Sequence, residues 1–431
     1  MKIAWFKREI NPELGTGVAG YDFTSKSTVI HDNLYMTGLC LDDGNAKALI
    51  VSLDLLALDG WYVRNLREEC AKLLNTRPEL ILFSCTHNHS GPEAATPLAP
   101  NHDKLNEAYT AKLKAAILEE TAKLCDFKEC SVTFYSSKCD ENRNRRYVTA
   151  DNAATFTPHR REMIPLANEF ADKELGELCF FDAQSGLPLY VIGNYAAHPL
   201  AGHTPGLGMT RITADFPGFF RNYITSETGA QAMYISGACG DLVPKEDELG
   251  MDAAQGMGVR LAKAAIGGII DSRRNRNRFT LNEPKLGGDV RTFTVPIRRR
   301  YLEKVPPEYK GKKDVTLEIQ TLAIGDICFV GMPGEVCCEL GMEIKWHSPF
   351  RKAFIAYYST SDFSYMAPAN FLVSGGYEGS TQQFGSMGGF ELVKTAIDSM
   401  FSLHQELFPV PENEEPYPDN QNQPLVDIPK N

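Results

Sequence analysis

A buried strand, an amphipathic helix and a second buried strand follow one another early in the chain. Residues 48–53 form a short apolar run, residues 61–74 carry apolar side chains at helical spacing, and residues 81–84 form a second apolar run. Two strands joined by a helix usually pair in parallel. This unit therefore predicts a sheet with helices packed against it, and it excludes an all-α or all-β chain.

The same alternation continues along the sequence. Periodicity and turn residues predict further helices at 105–124, 251–270 and 336–346, and further strands within 178–194, 232–235, 290–296 and 316–330. The segments 178–194 and 316–330 each contain a turn, the second at Gly325-Asp326, and are predicted to be strand pairs. The predicted fold class is α/β (α+β), with mixed β-sheets flanked by helices.

The length of 431 residues allows more than one domain, but the sequence offers few boundaries. Residues 1–408 are predicted to form a single domain, with a weak internal border at the basic run 271–278. Residues 409–431 are rich in Pro, Asn and acidic side chains and lack periodicity. They are predicted to form a surface-hugging or disordered tail.

Charge and composition restrict the partners and the location. The formal net charge is −11, and an acidic chain repels nucleic acids and anionic lipid surfaces. No run approaches the roughly 18 apolar residues of a transmembrane helix, and the N-terminus lacks the apolar segment of a signal peptide. We therefore expect a cytoplasmic protein, or a secreted one if a leader has been removed. The eleven scattered cysteines agree with reduced thiols used as small hydrophobes.

Three histidines stand where predicted strands end. His87 and His89 lie in the segment FSCTHNHSGP after the strand 81–84, and His198 follows the second strand of 178–194. Sites of α/β proteins usually form at the carboxyl ends of strands, so these imidazoles can converge. The HxH pair can bind one metal ion with both rings, or divide the roles of ligand and base. Each histidine taken alone is also compatible with a structural role.

Other candidate side chains occur singly. Glu335 follows a Pro-Gly turn, where it can bind a metal or occupy the first turn of the predicted helix. Asp241 can orient a histidine or hold its own glycine-rich loop. The basic cluster 142–146 can supply an oxyanion-stabilising arginine or form a solvated face. Tyr365 and Tyr377 can ligate a metal, donate to an oxyanion, or be core aromatics.

Histidines and a glutamate at strand ends suit a catalytic Zn²⁺ that keeps one position open for water. No GxGxxG, P-loop, GxSxG or HExxH motif occurs, so nucleotide-binding, serine-hydrolase and zincin functions have no support. A closed structural zinc site would instead favour a cysteine-rich ligand set. The residues alone therefore favour a zinc hydrolase without identifying its substrate.

The order of seven short motifs resembles the N-terminal catalytic domain of the neutral/alkaline non-lysosomal ceramidase family. In chain order the motifs are THNHSGP, NRR, HP, TADFPG, GACGD, PGE and YEGST, and the resemblance extends over roughly residues 10–400. The resemblance is distant overall, and the chain looks like the bacterial members of unproven substrate rather than the true ceramidases. The family enzymes are zinc amidohydrolases that split ceramide into sphingosine and a fatty acid. The resemblance thus implies a catalytic domain that acts on a lipid amide or another small molecule.

The resemblance also implies a role for individual residues. The zinc ligands would be His87, His198, Glu335 and Tyr365. His89 would be the general base, and the oxyanion donors would be Tyr377 and an arginine of the NRR motif, which is Arg145 or, in the alternative register, Arg143. The implied reaction is hydrolysis of an amide (N-acyl) bond by water that zinc activates.

Two departures from the family pattern bear on the substrate. The family loop GDxSP contains a serine with a catalytic or substrate-contacting role, and its position here is Val243. Valine neither attacks nor donates a hydrogen bond, so the reaction would depend on metal-activated water. The β-sandwich domain that follows in ceramidases is also not expected. Two alternatives stay open: a hydrolase of the same fold that cleaves another acyl or ester bond on a small polar substrate, and a non-catalytic metal- or ligand-binding homologue.

Overall fold

The computed structural model describes residues 1–20, 25–95, 107–149, 154–155, 163–164, 170–202, 210–245, 249–303, 305 and 309–409. Apart from its first residue, the predicted tail 409–431 lies outside the described residues. The helices are α1 (Gly60–Leu74), α2 (Glu107–Ala122), α3 (Asp215–Thr228), α4 (Met251–Arg274), α5 (Arg276–Phe279), α6 (Cys338–Trp346), α7 (Ala369–Ser374), α8 (Gly376–Thr381) and α9 (Gly388–Leu407).

The strands of the first half are β1 (Lys2–Glu9), β2 (Val29–Ile30), β3 (Tyr35–Asp42), β4 (Lys47–Leu53), β5 (Ile81–Cys85), β6 (Lys128–Lys138), β7 (Asn142–Asn144), β8 (Tyr147–Thr149), β9 (Ala154–Thr155), β10 (Met163–Ile164), β11 (Glu174–Asp182) and β12 (Pro188–Tyr195). Those of the second half are β13 (Arg211–Ile212), β14 (Gln231–Ser236), β15 (Leu242–Pro244), β16 (Leu286–Pro296), β17 (Asp314–Ile324), β18 (Ile327–Gly331), β19 (Glu335–Val336), β20 (Lys352–Ala356) and β21 (Tyr365–Met366). Helices and strands alternate along the chain, which confirms the predicted mixed α/β class.

Two mixed sheets form the framework. The larger has the strand order β14-β12-β11-β6-β1-β3-β4-β5, and the smaller has the order β16-β17-β18-β20. As predicted, β4 and β5 pair in parallel across α1, and the turn at Gly325 joins β17 to β18 in an antiparallel pair. Gly325 has a φ of 58°, a conformation that costs glycine little.

The core lies between the two sheets and under the helices. Leu39, Ile50 and Phe180 of the larger sheet pack with Leu322 and Phe329 of the smaller one, and all five are fully buried. Helices α3 and α4 cover β11, β12 and β14, and α9 covers β16 and β17. These layers are the helix-flanked mixed sheets that the sequence predicts.

The close contact of α3 with α4 depends on a glycine. A Cβ on Gly258 would lie 2.6 Å from the Phe216 carbonyl oxygen, so this residue of α4 has no room for a side chain. The predicted border at 271–278 falls at the end of α4 and in α5, and the division into domains stays a prediction. Within the described residues, no helix combines the length and the apolar character that a membrane crossing requires.

Candidate metal centre

Three strand ends meet at the site. The larger sheet curves until β14 approaches β5, and β20 of the smaller sheet joins them. Ser236 at the end of β14 donates from Oγ to the Thr86 carbonyl at 2.7 Å, and its own carbonyl accepts from the Tyr357 amide at 3.0 Å. Ser84 Oγ donates to the Tyr357 carbonyl at 2.8 Å. The segments that follow β5, β14 and β20 are therefore fixed against one another.

His87 begins the loop after β5 in an uncommon conformation. Its φ is +62°, in the left-handed region that a residue with a Cβ rarely adopts. Its ring stacks on Tyr358 with centroids 4.7 Å apart and planes 8° apart, and Tyr358 itself has a φ of +44°. Two residues with positive φ, in the loops that follow β5 and β20, thus stack their rings on each other. Such strain is concentrated at functional sites.

Backbone carbonyls fix the tautomers of two histidines. His87 Nδ1 lies 3.2 Å from the Leu56 carbonyl, and His198 Nδ1 lies 3.0 Å from the Leu242 carbonyl. A carbonyl oxygen only accepts, so each Nδ1 carries a proton, and in a neutral ring the lone pair then lies on Nε2. Burial lowers the pKa of His198 to about 4, against the opposite effect of Glu335, so this ring is neutral at pH 7.

Glu335 completes a group of acceptor atoms. Its Oε2 lies 3.3 Å from His198 Nε2 and 3.5 Å from His87 Nε2. The Nε2 atoms of His87 and His89 are 3.0 Å apart, and the candidate ligand atoms of His87, His89 and His198 all lie within 4.8 Å of one another. Acceptor atoms at such distances repel one another unless a proton or a cation lies between them. Imidazole and carboxylate donors are a set that Zn²⁺ prefers, so these residues fit the expected metal.

His89 occupies the same cluster from a different direction. Its ring is half-buried, and its centroid is 4.6 Å from that of His87 and 5.5 Å from that of His198. Burial, and then the neighbouring imidazoles, lower its pKa well below the usual 6.5. The geometry accommodates His89 either as a third imidazole ligand or as a neutral base beside the ion. These are the two uses that the sequence left open for the HxH pair.

Tyr365 and Arg145 extend the cluster on the side of Glu335. β19 pairs in parallel with β21, which sets Glu335 beside Tyr365. Arg145 Nη2 donates to the Tyr365 hydroxyl and to the Gly240 carbonyl, both at 2.9 Å. Burial raises the pKa of Tyr365 well above its usual value of 10. The phenol therefore stays protonated unless a cation replaces its proton.

Tyr377 lies on the same side of the cluster as Tyr365 and Arg145. The two candidate arginines, Arg145 and Arg143, lie in different surroundings. The Tyr377 ring lies 5.4 Å from the Tyr365 ring and 5.4 Å from the Arg145 guanidinium carbon, and its side chain is 43% exposed. Tyr377 thus lies at the opening of the cluster. Arg143 instead belongs to β7, where it pairs with Val243 of β15. Arg145 is the arginine in contact with the candidate tyrosines.

One local prediction, the start of a helix, was wrong, and the structure selects between the alternatives that were left open for two residues. The helix predicted to start at 336 begins at Cys338, and Glu335 lies in the two-residue strand β19 rather than in a first helical turn. The cause is the pairing of β19 with β21, which extends the backbone there. Asp241 contacts no histidine ring among the described residues; its carboxylate accepts from the Cys338 amide at 2.7 Å and from Asn144 Nδ2 at 2.7 Å. It therefore holds the loop, which was the other expected role.

Sequence reasoning missed several residues that support the cluster. Asn88, between the two histidines, donates from Nδ2 to the Thr213 carbonyl at 2.8 Å and accepts from the Ser90 amide at 3.0 Å. Glu378, next to Tyr377, is 1% exposed and accepts from Arg145 and Arg146. Their positions inside the HNH and YEG motifs are the signal that could have identified them. The carbonyls of Leu56 and Leu242 leave no mark in the sequence.

The geometry defines the class of site: a buried imidazole–carboxylate centre at the strand ends of a mixed α/β fold. Solved structures with the same fold exist. Neutral ceramidase from Pseudomonas aeruginosa superposes with a TM-score of 0.76 at 17% identity, over 97% of this chain and 76% of that one. A ceramidase complexed with C2 superposes with a TM-score of 0.74 at 17% identity, over 98% of this chain and 77% of that one.

The chain therefore has the neutral ceramidase fold, which confirms, at the level of the fold, the resemblance seen in its motifs. Comparison with protein-family models gave no match, and comparison with curated proteins gave none either. At 17% identity the structural likeness carries the architecture but not the substrate.

Proposed function

We propose that this protein is a zinc-dependent hydrolase that cleaves an amide (N-acyl) bond. The observation that carries the proposal is the cluster of three histidines whose candidate ligand atoms lie within 4.8 Å of one another, with Glu335 Oε2 3.3 Å and 3.5 Å from two of them. The residues that would hold the ion are His87, His198, Glu335 and Tyr365. Zinc at such a site, when bound, lowers the pKa of water and polarises a carbonyl.

The chain's own residues then supply proton transfer and charge stabilisation. His89, kept neutral by burial, would accept a proton at Nε2 from the attacking water and return it to the leaving amine. Arg145 and Tyr377 would donate hydrogen bonds to the oxyanion that develops on the scissile carbonyl. Donors in that role typically contribute about 2–4 kcal/mol each. Val243, where the family has serine, takes no part in the chemistry.

Exposed apolar side chains near the opening favour a lipid amide over a small polar substrate. Val373 on α7 is 83% exposed, and Tyr377 on α8, which packs against α7, is 43% exposed. An acyl chain would bury part of this surface, which is favourable by about 25 cal/mol per Å². The solved structures with this fold are named as ceramidases, which agrees with an N-acyl substrate.

The first test measures bound zinc and turnover together. We expect about one zinc per chain in the wild type by elemental analysis, retention of zinc in His89→Gln, and its loss in His198→Ala. On N-acyl amines of graded chain length, His89→Gln should lower kcat by about 10²–10⁴-fold, because it removes the base. His347→Ala, at an exposed histidine after α6, is the matched control and should change neither quantity.

Three results would contradict parts of this assignment. A wild-type protein that binds no zinc contradicts the metal centre. Loss of zinc in His89→Gln makes His89 a ligand rather than the base. Bound zinc without turnover of any acyl substrate favours the non-catalytic homologue.

A further inference from the structure

Glu378 is a buried carboxylate shared by two consecutive arginines. It accepts from Arg145 Nε at 2.7 Å and from Arg146 Nη1 at 2.8 Å. Its side chain is 1% exposed, and those of Arg145 and Arg146 are 14% and 2% exposed. Burial alone would raise the pKa of Glu378, but the two guanidinium groups hold it below its usual value. One carboxylate thus pairs with two guanidinium groups inside the protein, and the three side chains together carry a net charge of +1.

The two arginines differ in what else holds them. Arg146 donates to the Gly375 carbonyl and to Ser374 Oγ, and its guanidinium lies 3.6 Å from the Phe371 ring centroid. Arg145 instead projects toward the candidate metal centre, where it contacts the Tyr365 hydroxyl. Glu335 lies beside Tyr365 in the β19–β21 pair, so the residue that Arg145 contacts is the neighbour of Glu335.

We propose that Glu378 is a positioning residue that keeps the Arg145 guanidinium away from Glu335, so that the Glu335 carboxylate remains available to the metal. The inference rests on the proposed function, because it requires Glu335 to be a zinc ligand. A buried guanidinium needs an anionic partner, since an uncompensated buried charge is strongly destabilising. Without Glu378, Glu335 is the anion toward which Arg145 would turn.

A reorientation of Arg145 toward Glu335 would interfere with metal binding, because the guanidinium presents its Nε and Nη donors side by side. Arginine binds carboxylates through paired hydrogen bonds that occupy the oxygen lone pairs. Those are the lone pairs with which Glu335 would bind zinc. In the native protein Glu378 engages Nε and the Gly240 carbonyl engages Nη2, so the guanidinium is fixed, with its central carbon 5.4 Å from the Tyr377 ring centroid.

The test is a double-mutant cycle on zinc affinity, measured by competition with a chelator. Glu378→Gln preserves the shape of the side chain and removes its charge. We expect it to weaken zinc binding by about 10–100-fold, the range for partners of metal ligands. Arg145→Met in the same chain should restore the affinity to within about threefold of the Arg145→Met single variant.

Arg146→Met is the matched control for that rescue. It removes the other arginine from Glu378, and in the Glu378→Gln background it should not restore zinc affinity. If Glu378→Gln fails to fold, Glu378→Asp serves instead. Its shorter carboxylate should weaken zinc binding by a smaller factor, and Arg145→Met should again reverse the loss.

Two outcomes would overturn the inference while the proposed function stands: unchanged zinc affinity in a folded Glu378→Gln protein, or a double variant that binds zinc no better than Glu378→Gln. Both outcomes are informative only if the wild type itself binds zinc and turns over substrate. A wild type without zinc would instead contradict the proposed function, and this inference with it. The two failures are therefore distinguishable.

Discussion

At the scale of single residues, Glu177 on β11 is a buried acid outside the candidate site. It is fully buried, and neither carboxyl oxygen has a hydrogen-bond partner among the described residues. Gly268 of α4 lies against it, so close that a Cβ there would be 2.4 Å from Oε2, and Tyr135 borders the same space. Burial raises the pKa of Glu177 well above its usual 4.5.

This pKa shift makes stability depend on pH in a defined direction. The folded state keeps the proton on Glu177 while the unfolded state releases it above pH 4.5, so the stabilisation present at lower pH is lost as pH rises toward the folded pKa. The loss is about 1.4 kcal/mol per pH unit. We expect Glu177→Gln to match the wild type near pH 4 and to be more stable by about 1–3 kcal/mol at pH 7, in urea unfolding.

The control is Glu129→Gln on β6 of the same sheet, where the carboxyl is exposed. Glu129→Gln should change the urea midpoint of unfolding only slightly, and by the same amount at pH 4 and pH 7. A Glu177→Gln protein whose stability relative to the wild type is the same at pH 4 and pH 7 would contradict the buried-acid explanation.

At the scale of elements, the short helix α8 determines where Tyr377 and Glu378 lie. It is joined to α7 through Gly375, whose φ of 70° and ψ of −137° are accessible essentially to glycine alone. A Cβ on Gly375 would meet no atom within 4 Å, so a substitution there costs backbone strain without a steric clash. The start of α8 therefore depends on one backbone conformation.

Gly375→Ala should lower stability by about 1–3 kcal/mol and also reduce kcat, because relief of the strain would shift α8 and with it Tyr377. The matched control is Gly229→Ala at the end of α3. Its φ is 75°, a Cβ there also meets no atom within 4 Å, and the site is unrelated to α8. It should lose stability and retain turnover. Equal kcat in both variants would show that α8 keeps its position after the substitution.

The sequence predicted the elements that local apolar periodicity defines, but not those that depend on pairing between distant segments. β4, α1 and β5 were predictable because apolar periodicity reports which face of each element is buried. The strand ends that carry His87 and His198 were predictable for the same reason. The start of α6 at Cys338 was not, because β19 pairs with β21, whose residues lie 30 positions later in the chain. No local pattern reports such a pairing.

The convergence of the candidate residues depends on the curvature of the larger sheet, which the sequence pattern does not predict. The HxH motif could not reveal that β14 and β20 meet β5, nor that backbone carbonyls select the histidine tautomers. The motif resemblance supplied the grouping of His87, His198, Glu335 and Tyr365, and the structure brings those side chains together. Their roles, like the division into domains and the location, remain predictions.

At the scale of the whole molecule, a buried ion pair ties α3 to the larger sheet. Asp54 follows β4 and is fully buried, and Arg221 of α3 donates to both of its carboxylate oxygens, from Nη1 at 2.7 Å. Asp54 also accepts from the Tyr35 amide at 2.8 Å. The pair therefore connects the end of β4, the start of β3 and the helical layer.

Asp54→Asn should lower the free energy of unfolding by about 3–5 kcal/mol, because it leaves Arg221 buried without a counter-charge. Adding Arg221→Met should recover a large part of that loss, as measured by urea unfolding. Asp398→Asn, in the exposed Lys394–Asp398 pair on α9, is the comparison and should change stability by less than about 1 kcal/mol. An equal loss in the single and double variants would contradict the charge argument.

The candidate ligands come from distant parts of the chain, since His198 and Glu335 are separated by 137 positions and His87 lies earlier still. During synthesis, a nascent chain of which only the larger sheet has left the ribosome contains the histidines but neither Glu335 nor Tyr365. The full ligand set exists only once β19 and β21 have emerged and paired. Capture of the ion would then mark the end of folding rather than nucleate it, and a truncated or misassembled copy would remain unmetallated.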